Sequence, residues 1–388
     1  MADTLCPDLS RRLFLTGGGA LAASLALPAT LYAARAPTEQ RLVFIIQRGA
    51  MDGLHAVPPV GDPSYATLRG ALAQSDSPRK LDAMFGLHSS LSEVGKIYDQ
   101  RQALLLHAIA SPYRDRSHFD GQDVLETAGV RPYQTRDGWL NRISLLIGGE
   151  ALALAPTIPV ALRGKAPTQS YAPSGLPTPD EDLMVRIDGL YRNDPVLHAA
   201  WEAAKETRAI GGGKDAGGRR QNPVELGQTA ARFLNAPDGA RIAMIETSGW
   251  DSHANQAGLL KRSLSSLDLL IGSLKAGLGA QWARTLVVVA TEFGRTAAVN
   301  GTNGTDHGTA SVAMLLGGGV TGGRVVADWP GLRANQLFED RDLAPTADIR
   351  AAIGGAAAAH FGVDPPQLMA AMLPDQERIV AMEGLVRA

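Results

Sequence analysis

The chain contains a single cysteine, Cys6, and that residue lies within a predicted leader sequence. A mature protein without cysteine excludes disulfide bonds, cysteine nucleophiles, iron–sulfur clusters and zinc–thiolate sites. Aromatic residues make up only 5% of the sequence, and the formal net charge at pH 7 is -2. The charged residues form no basic stripe and no acidic tail, which predicts no nucleic-acid partner. Because the mature chain has no cysteine, any metal must be held by His, Asp, Glu or other oxygen donors.

The first part of the chain, residues 1–36, has the pattern of an export signal. Paired arginines in Ser10–Leu15 (SRRLFL) precede the weakly apolar, Gly- and Ala-rich run Thr16–Leu31. A charged start, a short apolar region and small residues at its end are typical of secretory signals, and the two arginines indicate the twin-arginine variant. The apolar run is too short to span a bilayer. We predict a periplasmic or secreted mature protein without a stable membrane span, exported by the twin-arginine translocase.

Short apolar runs along the mature chain predict buried β-strands. Continuous runs, as opposed to alternating patterns, suit strands that are covered on both faces. Helical patterns separate the runs, including one long helix over Glu181–Thr207, and this alternation predicts a three-layer α/β fold with a mostly parallel, doubly wound sheet. No internal repeat or change of composition appears, which favours one domain over residues 37–388. The predicted strands are Arg41–Gln47, Ala103–Ala110, Arg241–Glu246, Thr285–Thr291 and Ala310–Leu316, with a weaker one at Ile158–Leu162.

Carboxylates and imidazoles follow the predicted strands where each strand ends. Ligands of open parallel sheets bind beyond the carboxyl ends of the strands, so we expect these side chains to converge. Asp, Glu and His donors without cysteine suit Zn, Mn, Mg or Ca. The sequence therefore predicts a divalent-metal site at this edge of the sheet. The predicted ligands are Asp52, Asp251, His253, Glu292, Asp306 and His307.

Three further residues are candidates for catalysis. Ser117 follows the second strand, where a helix could begin, while Arg116 and Arg295 are candidates to hold an anionic group bidentately. Each candidate also has a structural interpretation: Ser117 as the cap of a helix, Arg295 as the ion-pair partner of Glu292, and Asp52 as a turn residue.

Five segments resemble a known family. They are RGAMDGLHAVPP (residues 48–59), SHFDGQDVLETA (117–128), WDSHANQ (250–256), TEFGRT (291–296) and GTDHGTAS (304–311). Together they are similar to domain-of-unknown-function family 1501, which is grouped with alkaline phosphatases, sulfatases and phosphoglycerate mutases. The resemblance implies an alkaline-phosphatase-like α/β fold with its site at the carboxyl ends of the strands.

The resemblance also implies roles for single residues. Asp52 looks like the first metal-binding Asp of the superfamily, and Ser117 falls in the segment that carries its Ser or Thr nucleophile. Asp251 and His253 resemble an Asp…His metal pair, although relatives usually space that pair as D-x-x-x-H.

Two later positions complete this comparison. Glu292 stands at the strand end where relatives carry an Asp-His pair, and here Phe293 replaces the histidine. Asp306-His307 looks like the later metal-binding His with an added Asp.

Two functions are compatible with these residues. The first is an exported metal-dependent hydrolase of phosphate or sulfate esters, in which Ser117 or a metal-bound water attacks and Arg295 or Arg116 stabilises the charge. The second is a non-catalytic exported protein that keeps the fold and binds a metal or a partner. Clustered strand-end ligands favour the first, and the missing histidine after Glu292 favours the second. A metal-free Ser-His-Asp hydrolase is disfavoured because the chain has no G-x-S-x-G segment.

Overall fold

The computed structural model describes residues 38–172, 181–211, 222–374 and 379–387. The predicted export signal over residues 1–36 lies outside this part of the chain. The described residues belong to two compact units: a larger one within residues 36–173 and 218–388, and a smaller one within residues 1–35 and 174–217. A single domain over residues 37–388 stays a prediction.

Strands and helices alternate along most of the described chain. The strands are β1 (Arg41–Arg48), β2 (Arg79–Lys80), β3 (Gly86–Leu87), β4 (Ala103–Ala110), β5 (Ala151–Leu154), β6 (Thr168–Ser170), β7 (Ile242–Ser248), β8 (Thr285–Ala290), β9 (Ser311–Leu316), β10 (Arg324–Val326) and β11 (Ala347–Asp348). The α-helices are α1 (Gly53–Ala56), α2 (Tyr65–Arg69), α3 (Ser92–Asp99), α4 (His118–Thr127), α5 (Trp139–Ile147), α6 (Glu181–Tyr191), α7 (Pro195–Gly211), α8 (Pro223–Asn235), α9 (Gln256–Leu278), α10 (Ile349–Phe361) and α11 (Pro365–Met372).

The larger unit is built on one nine-stranded sheet with the order β10-β4-β9-β8-β1-β7-β5-β6, and β11 also pairs with β4. Strand β1 runs parallel to β7 and β8, whereas β9 is antiparallel to β4 and β8. The other pairs in this sheet are parallel. The predicted mostly parallel α/β sheet is therefore confirmed.

Two element predictions are wrong, and proline accounts for both. The predicted strand Ile158–Leu162 is a 3-10 turn over Val160–Leu162, because the preceding Pro159 has no N–H to donate to a neighbouring strand. The predicted helix Glu181–Thr207 is two helices, α6 and α7, and α7 begins at Pro195. Proline breaks a helix interior but is well tolerated in the first turn.

Both faces of the sheet are buried, as the continuous apolar runs predict. Leu42, Phe44 and Ile46 of β1 point into a core shared with α5, α10 and α11. Val43 and Ile45, which alternate with them and face the other way, are also fully buried. Side chains of a strand alternate between its two faces, so protein covers the sheet on both sides and the unit has three layers.

The strand directions bring several loops to one edge of the sheet. Strands β1, β4, β7 and β8 run in the same direction, so their carboxyl ends lie at the same edge. Because β9 runs the opposite way, it begins at that edge. The segment before β9 carries Asp306 and His307, and it therefore meets the loops that follow the parallel strands.

The smaller unit is described by helices α6 and α7. The Nζ atom of Lys205 lies 3.2 Å from Asp188 Oδ1, and the rings of Tyr191 and Trp201 pack edge to face with centroids 6.1 Å apart. Within the described ranges of both units, no helix combines the length and the apolar character that a membrane crossing needs.

Buried histidines make the stability of the fold depend on pH. His107 Nε2 donates to the Val57 carbonyl at 3.0 Å, and His360 Nε2 donates to the Arg41 carbonyl at 2.8 Å. Burial lowers the pKa of each imidazole to about 4. Between pH 4 and the usual histidine pKa near 6.5, the unfolded chain binds protons that the folded chain excludes, so stability falls as the pH falls through this range.

We expect the free energy of unfolding to decrease on acidification from pH 7 to pH 4, by roughly 3 kcal/mol for each of these histidines. Denaturant unfolding at a series of pH values measures the slope. His360→Gln keeps an N–H donor near the Arg41 carbonyl but cannot titrate, so the variant should show a shallower slope. An identical slope in the variant would mean that the acid sensitivity arises elsewhere.

Candidate metal centre

Three histidines and one aspartate meet at the carboxyl edge of the sheet. His118, Asp251 and His307 offer ligand atoms that all lie within 4.8 Å of one another. The Nε2 atoms of His253 and His307 are 3.0 Å apart. Asp251 Oδ1 lies 3.0 Å from His253 Nε2 and 3.3 Å from His307 Nε2, and Asp251 Oδ2 lies 3.5 Å from His118 Nε2. These four residues are referred to below as the metal cluster.

The second ring nitrogen of each histidine is held by a hydrogen bond. His118 Nδ1 donates to Glu292 Oε1 at 2.8 Å, His253 Nδ1 to Asp306 Oδ1 at 3.1 Å, and His307 Nδ1 to the backbone carbonyl of Arg116 at 3.0 Å. Histidine ligands of metals characteristically donate their other N–H to a carboxylate or a carbonyl, which fixes the tautomer and the ring orientation. All three imidazoles therefore turn a lone pair on Nε2 towards Asp251.

This donor set fits a divalent cation. Imidazole lone pairs and a carboxylate that face one another repel unless a cation or additional protons lie among them. His118 Nε2 is buried and has no hydrogen-bond partner. Tetrahedral Zn²⁺ with bonds of 2.0–2.1 Å places its ligand atoms about 3.3 Å apart, close to the 3.0–3.5 Å that separate Asp251 from the three imidazoles and His253 from His307. Three imidazoles favour Zn²⁺ over Mg²⁺ and Ca²⁺, which prefer oxygen.

Glu292 is fully buried and acts on the cluster through His118. Its Oε1 accepts hydrogen bonds from the Gly49 amide at 2.8 Å, from His118 and from Gln122 Nε2 at 3.0 Å. Burial raises the pKa of the Glu292 carboxyl, but the bonds from His118 and Gln122 outweigh burial and hold that pKa below its usual range. The same bond raises the pKa of the His118 imidazole despite burial. Glu292 therefore fixes the orientation of the His118 imidazole.

Asp251 is tied to Arg295, whose side chain is buried. Arg295 Nη1 donates to Asp251 Oδ1 at 2.8 Å, and Nε donates to Thr305 Oγ1 at 3.2 Å. Burial raises the pKa of the Asp251 carboxyl, but Arg295 brings it below the usual value. Gly49 lets the loop after β1 pass close to the Asp251 backbone: its φ is +120°, and a Cβ there would lie 2.7 Å from the Asp251 amide nitrogen. Arg295 thus orients Asp251.

The loop before β9 supplies His307 and supports His253. Asn300 Nδ2 donates to the His253 carbonyl at 2.9 Å and to Asp306 Oδ1 at 3.1 Å. A Cβ at Gly304 would lie 2.2 Å from the His253 carbonyl carbon, so only glycine allows the two loops to touch there. Asp306 consequently holds His253 Nδ1 in place, as Glu292 holds that of His118.

Arg116 contributes its backbone to the centre. Its φ is +61°, a left-handed conformation that costs free energy for a residue with a Cβ. Nε donates to Asp342 Oδ2 at 2.9 Å, and the guanidinium also pairs with Glu339. These contacts stabilise the strained backbone whose carbonyl orients His307, and they also occupy the guanidinium that the sequence predicts to hold an anion.

Asp52 and Ser117 lie outside the set of converging ligand atoms. Asp52 is fully buried, and its two carboxylate oxygens accept from Arg69 at 2.8 and 2.6 Å; Gln256 Nε2 donates to the same carboxylate at 2.5 Å. Ser117 precedes α4 at the capping position, where its hydroxyl makes no capping hydrogen bond and its amide donates to Tyr113 Oη at 3.1 Å. Asp52 is thus the anion of a buried ion pair.

The ligand set predicted from the sequence does not include His118, although this histidine also follows a predicted strand. A histidine in the loop after the second strand, next to the candidate Ser117, was the available signal. Its orientation was not readable, because it depends on Glu292, which is 174 residues away. Of the predicted ligands, the structure brings Asp251, His253 and His307 into direct contact, whereas Glu292 and Asp306 accept hydrogen bonds from His118 and His253.

Comparison with known families places the chain in one of them. The family described as "Protein of unknown function (DUF1501)" matches residues 179–373, which is 195 of the 388 residues. The chain belongs to this family. The matched range contains Asp251, His253 and His307, whereas His118 precedes it. No protein with a curated description matches the chain.

Several solved structures are similar in fold. The C-terminal periplasmic domain of EcEptC from Escherichia coli, in complex with Zn, is 9% identical, with a TM-score of 0.38 over 72% of this chain and 73% of that one. Alkaline phosphatase from the Antarctic bacterium TAB5 is 12% identical, with a TM-score of 0.36 over 73% and 92%. A phosphonate monoester hydrolase from Silicibacter pomeroyi is 13% identical, with a TM-score of 0.38 over 84% and 74%. These similarities concern the fold alone.

Proposed function

We propose that this protein is an exported metal-dependent hydrolase of phosphate or sulfate esters. The observation that carries the proposal is the convergence of three imidazole Nε2 atoms on one carboxylate, with every second ring nitrogen held in place. The side chains of Asp251 and His253 are 43% and 46% exposed, so a substrate can reach the cluster. Export rests on the twin-arginine pattern of residues 1–36.

The residues at this site would have different roles. His118, Asp251 and His307 would hold a divalent cation, with His253 next to Asp251 and His307; the cation when bound polarises an ester oxygen and lowers the pKa of a water molecule. Glu292 and Asp306 keep two imidazoles in the ligating orientation. Arg295 forms an ion pair with Asp251, which holds that carboxylate in place and puts a positive charge next to the site. Ser117, whose hydroxyl makes no capping bond, directly precedes His118 and is the candidate nucleophile.

A second candidate function is that of a non-catalytic metal-binding protein. The guanidinium of Arg116 is paired with Glu339 and Asp342, and that of Arg295 with Asp251. Neither arginine is therefore available to clamp an anionic ester bidentately. A stable ion without turnover would agree with this geometry.

Metal content and turnover decide between the two functions. We expect the purified mature protein to contain one Zn²⁺ per chain by elemental analysis and to hydrolyse aryl phosphate or aryl sulfate esters, with activity lost on chelation and restored by Zn²⁺. Bound metal without turnover across such a panel would support the binding protein, and no bound metal would exclude both. Ser117→Ala with full metal and no activity would identify the nucleophile; full activity would assign the attack to water.

A further inference from the structure

A chain of hydrogen bonds connects the buried Asp52 carboxylate to Asp251 of the metal cluster. Gln256 Nε2 donates to Asp52 Oδ2 at 2.5 Å, and Gln256 Oε1 accepts from Thr305 Oγ1 at 2.6 Å. Thr305 Oγ1 in turn accepts from Arg295 Nε at 3.2 Å, and Arg295 Nη1 donates to Asp251 Oδ1 at 2.8 Å. Three side chains therefore join the two carboxylates.

The three joining side chains are shielded from water. Gln256 and Thr305 are fully buried, and Arg295 is 1% exposed. Away from water, linked hydrogen bonds strengthen one another, and a buried donor or acceptor that loses its partner costs free energy. Any rotation of one of these side chains would leave such a group without a partner. The chain of bonds therefore strongly favours a single arrangement.

The chemistry of the groups determines the direction of each bond. An ionised carboxylate can only accept, so the amide nitrogen of Gln256 faces Asp52 and the amide oxygen faces away from it. This oxygen accepts from Ser252 Oγ at 3.0 Å as well as from Thr305. The Thr305 hydroxyl thereby uses its only proton, and its lone pairs remain for Arg295, whose guanidinium can only donate.

Thr305 holds the Arg295 guanidinium at two of its three nitrogens. Nε donates to the Thr305 hydroxyl, and Nη2 donates to the Thr305 backbone carbonyl at 2.5 Å. Because the guanidinium is a rigid plane, these two bonds also determine the direction of Nη1, which binds Asp251. The Asp251 side chain is 43% exposed, so the bond from Arg295 is important in limiting the rotation of its carboxylate.

We propose that Thr305 and Gln256 are positioning residues of the metal cluster that act through Arg295. Thr305 orients the guanidinium, the guanidinium orients the Asp251 carboxylate, and Gln256 ties Thr305 to the buried charge of Asp52. A ligand that is already held in its binding orientation loses less conformational freedom when the cation binds. The inference rests on the metal site of the proposed function and is independent of ester hydrolysis.

Thr305→Val tests the role of the hydroxyl, because valine has nearly the same shape without the hydroxyl. Loss of a partner that orients a metal ligand typically lowers metal affinity 10- to 100-fold. Thr305 acts one step further back, so we expect the affinity of the purified mature protein for Zn²⁺ to fall by about tenfold. Thr305→Ser keeps the hydroxyl and should restore most of this affinity. Competition with a chromogenic chelator measures both variants.

Thr285→Val is the matched control. Thr285 is also buried, and its hydroxyl donates to the Gln281 carbonyl at 2.8 Å. It begins β8 at the edge of the sheet opposite the metal cluster. Its replacement removes a buried hydroxyl of the same kind, so it should lower the midpoint of thermal unfolding and leave the affinity for Zn²⁺ unchanged.

Co²⁺ in place of Zn²⁺ gives a second measurement, because its visible absorption depends on the coordination geometry. Thr305→Val should change the intensity of the Co²⁺ bands, since Asp251 is no longer held in one orientation. Thr305→Ser and Thr285→Val should keep the spectrum of the wild-type protein. A merely structural role of Thr305 would leave the bands of the folded, loaded variant unchanged, and this result would overturn the proposal.

A double variant tests whether Thr305 acts through Asp251. In the Asp251→Ala protein, adding Thr305→Val should cause little further loss of affinity, because the carboxylate that Thr305 positions is absent. Losses that add fully would overturn this route. Gln256→Met removes the acceptor of the Thr305 hydroxyl and should lower the affinity of the otherwise unchanged protein. An unchanged affinity in Gln256→Met would exclude Gln256 from the positioning residues.

The wild-type protein separates this inference from the proposed function. A wild-type protein that binds no Zn²⁺ would contradict the proposed function itself. A wild-type protein that binds Zn²⁺, together with the same affinity in Thr305→Val or an equal loss in Thr285→Val, would contradict the positioning role alone.

Discussion

His307→Ala should reduce the affinity for Zn²⁺ by more than about 100-fold, and Glu292→Gln should reduce it by about 10- to 100-fold. The first change removes an imidazole whose Nε2 lies 3.0 Å from that of His253, and so removes a donor outright. The second keeps the volume of the side chain but removes the charge that holds His118 Nδ1 at 2.8 Å. Loss of an orienting partner characteristically has the smaller effect. Competition with a chromogenic chelator measures both affinities.

His198→Ala is the matched control for this series. Among the described residues, His198 belongs to a second group of acidic and imidazole side chains that could hold an ion, together with Asp188 and Glu202. If the ion is bound at the metal cluster, the control keeps its full zinc content. Loss of zinc in the His198→Ala variant together with full zinc in the His307→Ala variant would contradict the assignment of the metal cluster.

Asp52→Asn should destabilise the fold by about 3–5 kcal/mol without removing the metal. Asp52 and Arg69 are a fully buried pair, and the substitution leaves the Arg69 guanidinium charged without a counterion. Burial alone raises the pKa of the Asp52 carboxyl, yet Arg69 brings that pKa below its usual value, which indicates that the charged pair is the native form. Denaturant unfolding in the presence of chelator isolates the effect on the fold.

The double variant Asp52→Leu/Arg69→Met checks the cause. It removes both charges, so its loss of stability should be smaller than the sum of the losses of the two single variants. An Asp52→Asn protein that keeps its stability but loses zinc would restore Asp52 to the ligand set that the sequence predicts.

The edge of the sheet that carries the site was predictable, because strand ends are visible as breaks in apolar runs. The hydrogen-bond or ion-pair partner of each side chain was not predictable from the sequence. Asp52 lies at a strand end like Asp251, but it faces Arg69 of the short helix α2. This helix is too short to show a periodic pattern in the sequence. Backbone torsion angles, such as the positive φ of Arg116, decide which side chains face one another in the cluster and which only orient them. The amino-acid composition does not determine these angles.

The direction of β1 has a consequence for how the protein can be handled. Residue 41 begins this central strand and residue 48 ends it near the metal cluster. The chain therefore enters the sheet at the edge opposite the ligand loops. A label, a surface tether or a fused protein attached ahead of Thr38 would therefore join the described chain on the side of the sheet away from the metal cluster.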